Sequence, residues 1–429
     1  MFMNKDIILV AGTISRDVIE NIREYIKSEG EKYKIAVIYS SKRALSSGQK
    51  KTLELVDIAI PANLDSTTGA TEALLPYKDN LIAITCRIEA HIPEFQKIIP
   101  HVPYLKTPTV KSLDWATSKI DMRRRFRAYN KKITPKFAVV SDSTKTTLKV
   151  ISKKVGFPLV IKPTGLAQSV LVNIVYHEEE LEKELKKVFR KLSQAYKTLK
   201  RKSPPHVLVE QFMDGDMYSM DAFVTSRGKV YFCPPVAVKT GKAIGFDDFF
   251  GYQQMTPTLL SKDSIEVAQG ICIDAIHAIA LRSTSVHIEL MKTEKGWKVV
   301  ELGPRLGGFR QTLYKLAYNI DVTACDIKIR IPKKFNITKT PIGNAVAMKF
   351  FAKKEGVIKS IVGVKKAQDL KSLYDISVNK KVGDRATFAK NGGKSVFNII
   401  MHNKDRSKLL ADVRRLEQMV KIEVESRSK

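Results

Sequence analysis

The segment SVHIELMKTEKGWKVVELGPRLGG, residues 285–308, has few ways to fold. Two apolar arms rich in β-formers flank Lys-Thr-Glu-Lys-Gly, whose turn-forming residues close them as a hairpin. A loop centred near Lys295 sets Glu289 opposite Glu301, and Arg305 follows four residues later. Directly opposed residues have Cβ atoms roughly 5 Å apart, so two carboxylates there repel. A divalent cation would remove the repulsion, and a nearby arginine suits a polyphosphate carried on that cation. Read alone, the segment is equally a surface hairpin with solvated acids. The rest of the chain has to decide.

With 429 residues, 44% hydrophobic and 28% charged, the composition is globular and leaves room for roughly two to four domains. No apolar run approaches bilayer length, and the N-terminus enters a strand-like run without a signal-peptide pattern, which predicts a soluble cytoplasmic protein. Cys86, Cys233, Cys272 and Cys325 lie far apart with no CxxC spacing, which argues against a disulfide framework or a zinc site. Lysine and arginine exceed aspartate and glutamate by 74 − 44 = 30, a charge that attracts polyanions. The basic residues are nevertheless spread through the chain rather than interleaved with aromatics, so a nucleic-acid partner is not expected. The densest basic runs, residues 122–127 and 197–202, read as solvated faces.

The pattern along the chain predicts an α/β and α+β protein. DIILVAG, an amphipathic stretch and KIAVIY make a β-α-β opening of Rossmann type, continued by apolar runs at residues 58–61 and 81–85. Gly12-Thr13-Ile14-Ser15 is not GxGxxG, so the dinucleotide fingerprint is missing. A helix at residues 118–130 carries Lys119, and the strand FPLVIKP ends on Lys162. Residues 164–169 form a small-residue loop, 178–200 a long helix, and VLVEQF the next strand. Residues 241–257, rich in glycine and aromatics and without a period, read as a loop, either a mobile lid or a connection packed by Phe249 and Phe250. Glycine-punctuated strands then lead to a terminal helix. The resulting division is 1–115, 116–205, 206–332 and 333–429.

A Walker A motif fails at Gly393-Lys394-Ser395 because Phe388 holds the first glycine position. Nucleophile elbows and HExxH spacings are absent. What remains is an ordered series: Lys119 in SKIDMRRRF, Lys162 in GFPLVIKP, the segment VLVEQFMDG, then Glu289, Glu301 and Arg305. In this order the chain resembles the ATP-grasp superfamily over nearly its whole length. The resemblance implies a Rossmann-like N-terminal domain, a two-lobed ATP-grasp core (116–205 and 206–332) and a small α+β C-terminal domain.

It also implies ATP and Mg2+ or Mn2+ as cofactors. Lys119 and Lys162 would hold phosphates, with Ser169 on the covering loop; Glu210, Gln211, Phe212 and Met213 would form the adenine hinge, with Gln211 and Met213 reading the base through their backbone. Glu289 and Glu301 would bind the metal. Arg305 would steady the transferred phosphoryl group. His287 and Arg310 are candidate substrate contacts, against a core histidine and a surface ion pair. The chain departs from the family at Met217, where a ribose-gripping carboxylate is usual, and at Gly303, where an asparagine often adds a third metal ligand. Among relatives the appearance is closest to L-amino-acid and other carboxylate-amine ligases, which form an amide through an acyl phosphate with release of ADP and phosphate. Small-molecule carboxylate and amine substrates are expected, no membrane, and a homodimer is left open. The alternatives are a carboxylase or purine-biosynthesis-type ligase, and a non-catalytic ATP- or nucleic-acid-binding protein.

Overall fold

The computed structural model describes residues 5–163, 172–198, 206–246, 248–331 and 333–425. The loop expected at 164–169, with Ser169, lies outside the described residues, as does most of the basic run 197–202. No helix among the described residues is long and apolar enough to cross a membrane.

The first unit is a parallel sheet of β1 (Ile7–Ala11), β2 (Lys34–Ser40), β3 (Ile58–Ala62) and β4 (Leu81–Thr85), in the order β3-β2-β1-β4. Every residue of β1 is buried, as a strand covered on both faces requires. The helix Arg16–Ser28 lays Ile19, Ile22, Tyr25 and Ile26 against it, the three-and-four spacing of one helical face.

The second unit is an antiparallel sheet of β5 (Phe137–Val140), β6 (Leu159–Pro163), β7 (Asn173–Val175) and β8 (Val207–Gln211), ordered β5-β8-β6-β7. The helix Glu178–Thr198 covers it with Leu181, Leu185, Val188 and Leu192, all fully buried.

The third sheet carries β9 (Asp216–Val224), β10 (Val230–Phe232), β11 (Val236–Thr240), β12 (Gly251–Thr256), β13 (Thr284–Thr293), β14 (Gly296–Gly303) and β15 (Asn344–Phe350). After β16 (Gly356–Val362), β17 (Leu373–Val378), β18 (Arg385–Ala386), β19 (Phe397–Asn403) and β20 (Lys421–Glu425), its path reads β14-β13-β9-β11-β12-β15-β19-β17, with β10 beside β9. Strands from both sides of residue 332 therefore share one sheet through the β12–β15 pairing. The expectation of a loop over 241–257 needs correction: residues 251–256 are strand β12, hydrogen-bonded on both sides. What precedes it is packed. Asp248, buried, accepts from the Tyr252 hydroxyl at 2.7 Å, and the Phe246 ring stacks on Tyr252 at 4.8 Å.

One buried ionic cluster docks the first sheet on the third unit. Asp326, on the helix Val322–Lys328, accepts from the Thr85 hydroxyl at 2.6 Å and from Arg330 Nη1 at 2.7 Å, and lies 3.2 Å from Arg87 Nη1. Burial pushes the Asp326 carboxyl up, but Arg330 and Arg87 outweigh it and hold it at about 2, below its ordinary 3.8. A depressed carboxyl contributes stability above its unfolded value and loses it as pH falls through the folded one. The difference in urea-unfolding free energy between wild type and Asp326→Asn should therefore shrink by about 2 kcal/mol between pH 4 and pH 2. A difference that stays constant over that window would refute this account of the docking.

Candidate functional site

The two carboxylates of the hairpin do face each other, though not by the route the turn suggests. Glu294-Lys295 is a two-residue turn that pairs Thr293 with Gly296 and Leu290 with Val299. Continued unbroken, that register would put Glu301 on the same face as Trp297 and Val299, which are buried. A bulge intervenes: Val300 has no partner, and Glu289 pairs with Glu301 and His287 with Gly303. The extra residue turns Glu301 to the open face beside Glu289, their side chains 41% and 36% exposed.

What holds the bulge is Arg123. Its Nη1 and Nη2 donate to the Val299 and Val300 carbonyls at 3.1 and 2.7 Å, while Nε and Nη2 bind the Glu210 carboxylate. Arg123 is 2% exposed and Glu210 1%. The reading of residues 122–127 as a solvated face is thus corrected for Arg123, while Arg124, Arg125 and Arg127 are exposed. The helix Lys119–Tyr129 buries Met122, Arg123 and Phe126, Arg125 stacks on Trp115 at 4.0 Å and donates to the Ala278 carbonyl, and Arg124 is exposed. The sequence does carry a signal for Arg123: it lies beside Met122 and three residues before Phe126, on the apolar stripe.

Lys119 and Lys162 complete the charge arrangement. Lys119 Nζ is 2.5 Å from Glu301 Oε1, and Lys162 Nζ is 2.5 Å from Glu210 Oε2. Burial raises both glutamate carboxyls, yet Arg123 and Lys162 bring Glu210 down to about 2, and Lys119 with Lys162 and Arg123 brings Glu301 below its usual range. Both are carboxylates at neutral pH. Burial lowers Lys119, but Glu301 and Glu289 outweigh it and keep the ammonium above its ordinary value.

The strand β8 runs out at Gln211, and the connection to β9 passes close to the hairpin: a Cβ on Gly215 would lie 2.1 Å from the Lys292 carbonyl oxygen. The Gln211 N–H donates to Lys136 O at 2.9 Å and that of Phe212 to Pro158 O at 3.0 Å. This leaves the Met213 N–H as the hinge donor with no partner among the described residues. Phe212 faces Phe249 at 6.2 Å between centroids, and the Lys242 ammonium lies 5.0 and 5.5 Å from those two rings.

His287 Nδ1 is 3.1 Å from Asp221 Oδ1, and Nε2 is 3.9 Å from Glu289 Oε1. Asp221, fully buried, also accepts from Gly307 N at 2.7 Å and Arg310 Nε at 2.7 Å, and the glycine is required because a Cβ there would meet the His287 ring at 2.6 Å. Arg310 is not presented to a substrate. It is 2% exposed and spends its fork on Asp221, Gln254 Oε1 at 2.6 Å and Ser219 Oγ at 2.7 Å, anchoring the loop after β14. Arg305, on that loop, binds Glu89 of the first unit through Nε and Nη2 and the Leu306 carbonyl through Nη1 at 3.0 Å; its remaining N–H groups have no partner among the described residues. Lys349 on β15 is a residue sequence reasoning missed: its ammonium lies 4.4 Å from the Phe250 ring and 5.6 Å from Phe309, within the electrostatic reach of Glu289, Arg305 and Arg310.

Among the described residues no group of three or more histidine, cysteine or acidic side chains is close enough to hold a metal unaided. Glu289 and Glu301 still fit Mg2+, which takes one or two carboxylates and fills its remaining positions with phosphate oxygens and water.

Removing the fork of Arg123 should leave Glu210 and two bulge carbonyls inadequately paired. Arg123→Met is expected to lose about 3 kcal/mol in urea unfolding and to weaken Mg·ADP binding in calorimetry, and Arg123→Lys should not restore either. Full recovery by lysine would show that charge alone suffices.

Residues 155–313 match the ATP-grasp domain family. The uncharacterised protein y4rH of Sinorhizobium fredii is 26% identical over 326 residues, 75% of this chain and 63% of its own length. D-alanine–D-alanine ligase of Lacticaseibacillus casei is 26% identical over 152 residues, 34% of this chain and 37% of that protein. The chain thus spans less than two thirds of either relative. The crystal structure of an L-amino acid ligase from Bacillus licheniformis superposes with a TM-score of 0.74 over 99% of both chains at 16% identity.

Proposed function

Because this chain carries an ATP-grasp domain and adopts the ATP-grasp fold, we propose that it is an ATP-dependent ligase that joins a carboxylate to an amine with release of ADP and phosphate. The observation that carries the reading is the opposition of Glu289 and Glu301, with Lys119 on Glu301 and Arg305 on the loop the hairpin delivers. The hinge at Gln211, Phe212 and Met213 would take the adenine, and Lys119 and Lys162 the phosphates. Glu289 and Glu301 would hold Mg2+, which supplies charge neutralisation at the phosphates when bound.

The reaction proceeds in two displacements. A carboxylate oxygen of the acid attacks the γ-phosphorus, the bond to the β–γ bridging oxygen breaks, and ADP leaves with the electron pair. The amine nitrogen then attacks the acyl carbon, loses a proton, and inorganic phosphate departs. Negative charge builds on the phosphoryl oxygens first and on the acyl oxygen second. The N–H groups of Arg305 that have no partner among the described residues suit both, and its tether to Glu89 limits the reorganisation needed as charge develops.

A non-catalytic ATP-binding role has Met217 and Gly303 in its favour. Against it stand Glu289, Glu301, Arg305 and Lys162 together, a combination that a passive binder would not need.

The test is an ATPase screen with amino acids and small acids, trapping the activated acid with hydroxylamine. At least one acid should yield ADP and its hydroxamate in equal amounts. Glu301→Ala should abolish both products, and Arg305→Ala should lower kcat about 10²–10³-fold with Mg·ADP affinity retained. Equal product from Glu301→Ala would remove the metal role, and stimulation by bicarbonate alone would point to a carboxylase.

A further inference from the structure

His287 has one ring nitrogen that is tied down and one that is not. Nδ1 lies 3.1 Å from Oδ1 of Asp221, a buried carboxylate that also accepts from Gly307 N and Arg310 Nε. Asp221 accepts on every side, so Nδ1 carries the proton and Nε2 of the neutral ring is left as a lone pair. No donor reaches Nε2 among the described residues. It faces Glu289 Oε1 at 3.9 Å, and an ionised carboxylate has nothing to donate.

Two acceptors facing each other across such a gap call for a cation between them. Two ligand atoms on one small divalent ion lie roughly 3–4 Å apart, which the observed separation matches. The strands put the relevant groups on one face. His287 and Glu289 are two residues apart on β13, and across the ladder Glu289 pairs with Glu301 and His287 with Gly303. Gly303 contributes no side chain, and a Cβ built on it would meet nothing within 4 Å beyond its chain neighbours, so the space beside the ring is open. On the other flank Gly307 packs so closely that a Cβ there would lie 2.6 Å from the ring. A carboxylate on one imidazole nitrogen, with the other directed at an ion, is the arrangement that orients a ligating histidine.

We propose that, with nucleotide bound, His287 Nε2 is a third protein ligand to the metal of Glu289 and Glu301, and that it tilts the site from Mg2+ toward first-row transition ions such as Mn2+ and Co2+, which gain more from an imidazole. This rests on the metal reading of that carboxylate pair. The three side chains do not hold an ion unaided, and Lys119 occupies Glu301 at 2.5 Å, so phosphate oxygens are needed to draw Lys119 away and complete the set. The competing role for His287 is an imidazolium that ties Asp221 to Glu289 and touches no metal.

The probe is Mn2+ with ADP on the full chain, read by electron spin-echo envelope modulation, which detects nitrogen bonded directly to the ion. Wild type should show an imidazole signal that shifts when the protein is made with histidine carrying the heavy nitrogen isotope; adenine nitrogens do not respond to that label. His287→Gln should lose the signal. Calorimetry with ADP present should show Mn2+ and Co2+ weakened at least about tenfold in His287→Gln, and Mg2+ by no more than about threefold. Equal weakening of all three ions would overturn the metal preference. Mn2+ that binds wild type, is lost in Glu301→Ala and yet carries no histidine nitrogen would overturn the ligand while the carboxylate site stands; this wild-type measurement holds whether or not His287→Gln folds. A histidine signal persisting in His287→Gln would also overturn it. Wild type that binds no Mn2+ with ADP would overturn both the ligand and the metal reading beneath it.

Discussion

The side chain on which the site depends is Arg123. A buried guanidinium has to be surrounded by acceptors, and this one finds them on two elements far apart in sequence: the Glu210 carboxylate at the end of β8 and the bulged carbonyls of Val299 and Val300 in β14. One planar fork thus sets the hinge relative to the hairpin. An ammonium is a point charge and does not span the same set of acceptors. The bulge it secures is also what brings Glu301 out of the core face, so the metal-type pair and the hinge share a single structural cause.

A second buried charge performs the equivalent task between the first sheet and the third unit. Asp326 gathers Thr85, Arg87 and Arg330, and Glu89, two residues after Arg87, then meets Arg305. Arg305 is consequently held from the first unit although it is carried by the loop after β14. Asp221 does the same for that loop's other end, fixing Gly307 and Arg310 and orienting His287. Buried carboxylates that are paired and hydrogen-bonded organise the site, whereas Glu289 and Glu301 are left partly open to solvent. That division separates the acids that build the cleft from those available to a ligand.

Much of the architecture was legible because it rests on local pattern. The apolar runs of β1 to β4, the helix Glu178–Thr198 and the two hairpin arms follow from periodicity alone, and Lys119, Lys162, Glu289 and Glu301 could be picked out by residue type and chain order. Less legible were β12, whose GYQQMT has no apolar alternation and is stabilised by the strands on either side of it, and the sheet that continues across residue 332. Arg310 looked like a residue for a substrate and proved to be an interior clamp, because chemistry at a position cannot reveal burial.

The sequence by itself determined which residues could carry charge chemistry and in what order, since period-2 and period-3.6 patterns and turn residues act over short range. Only the tertiary structure decided which of those charges meet. The opposition of Glu289 and Glu301 depends on one unpaired residue, Val300, and that bulge is held by a helix residue 176 and 177 positions away from the carbonyls it binds. Lys349 came into view for the same reason: only folding places its ammonium against the Phe250 and Phe309 rings.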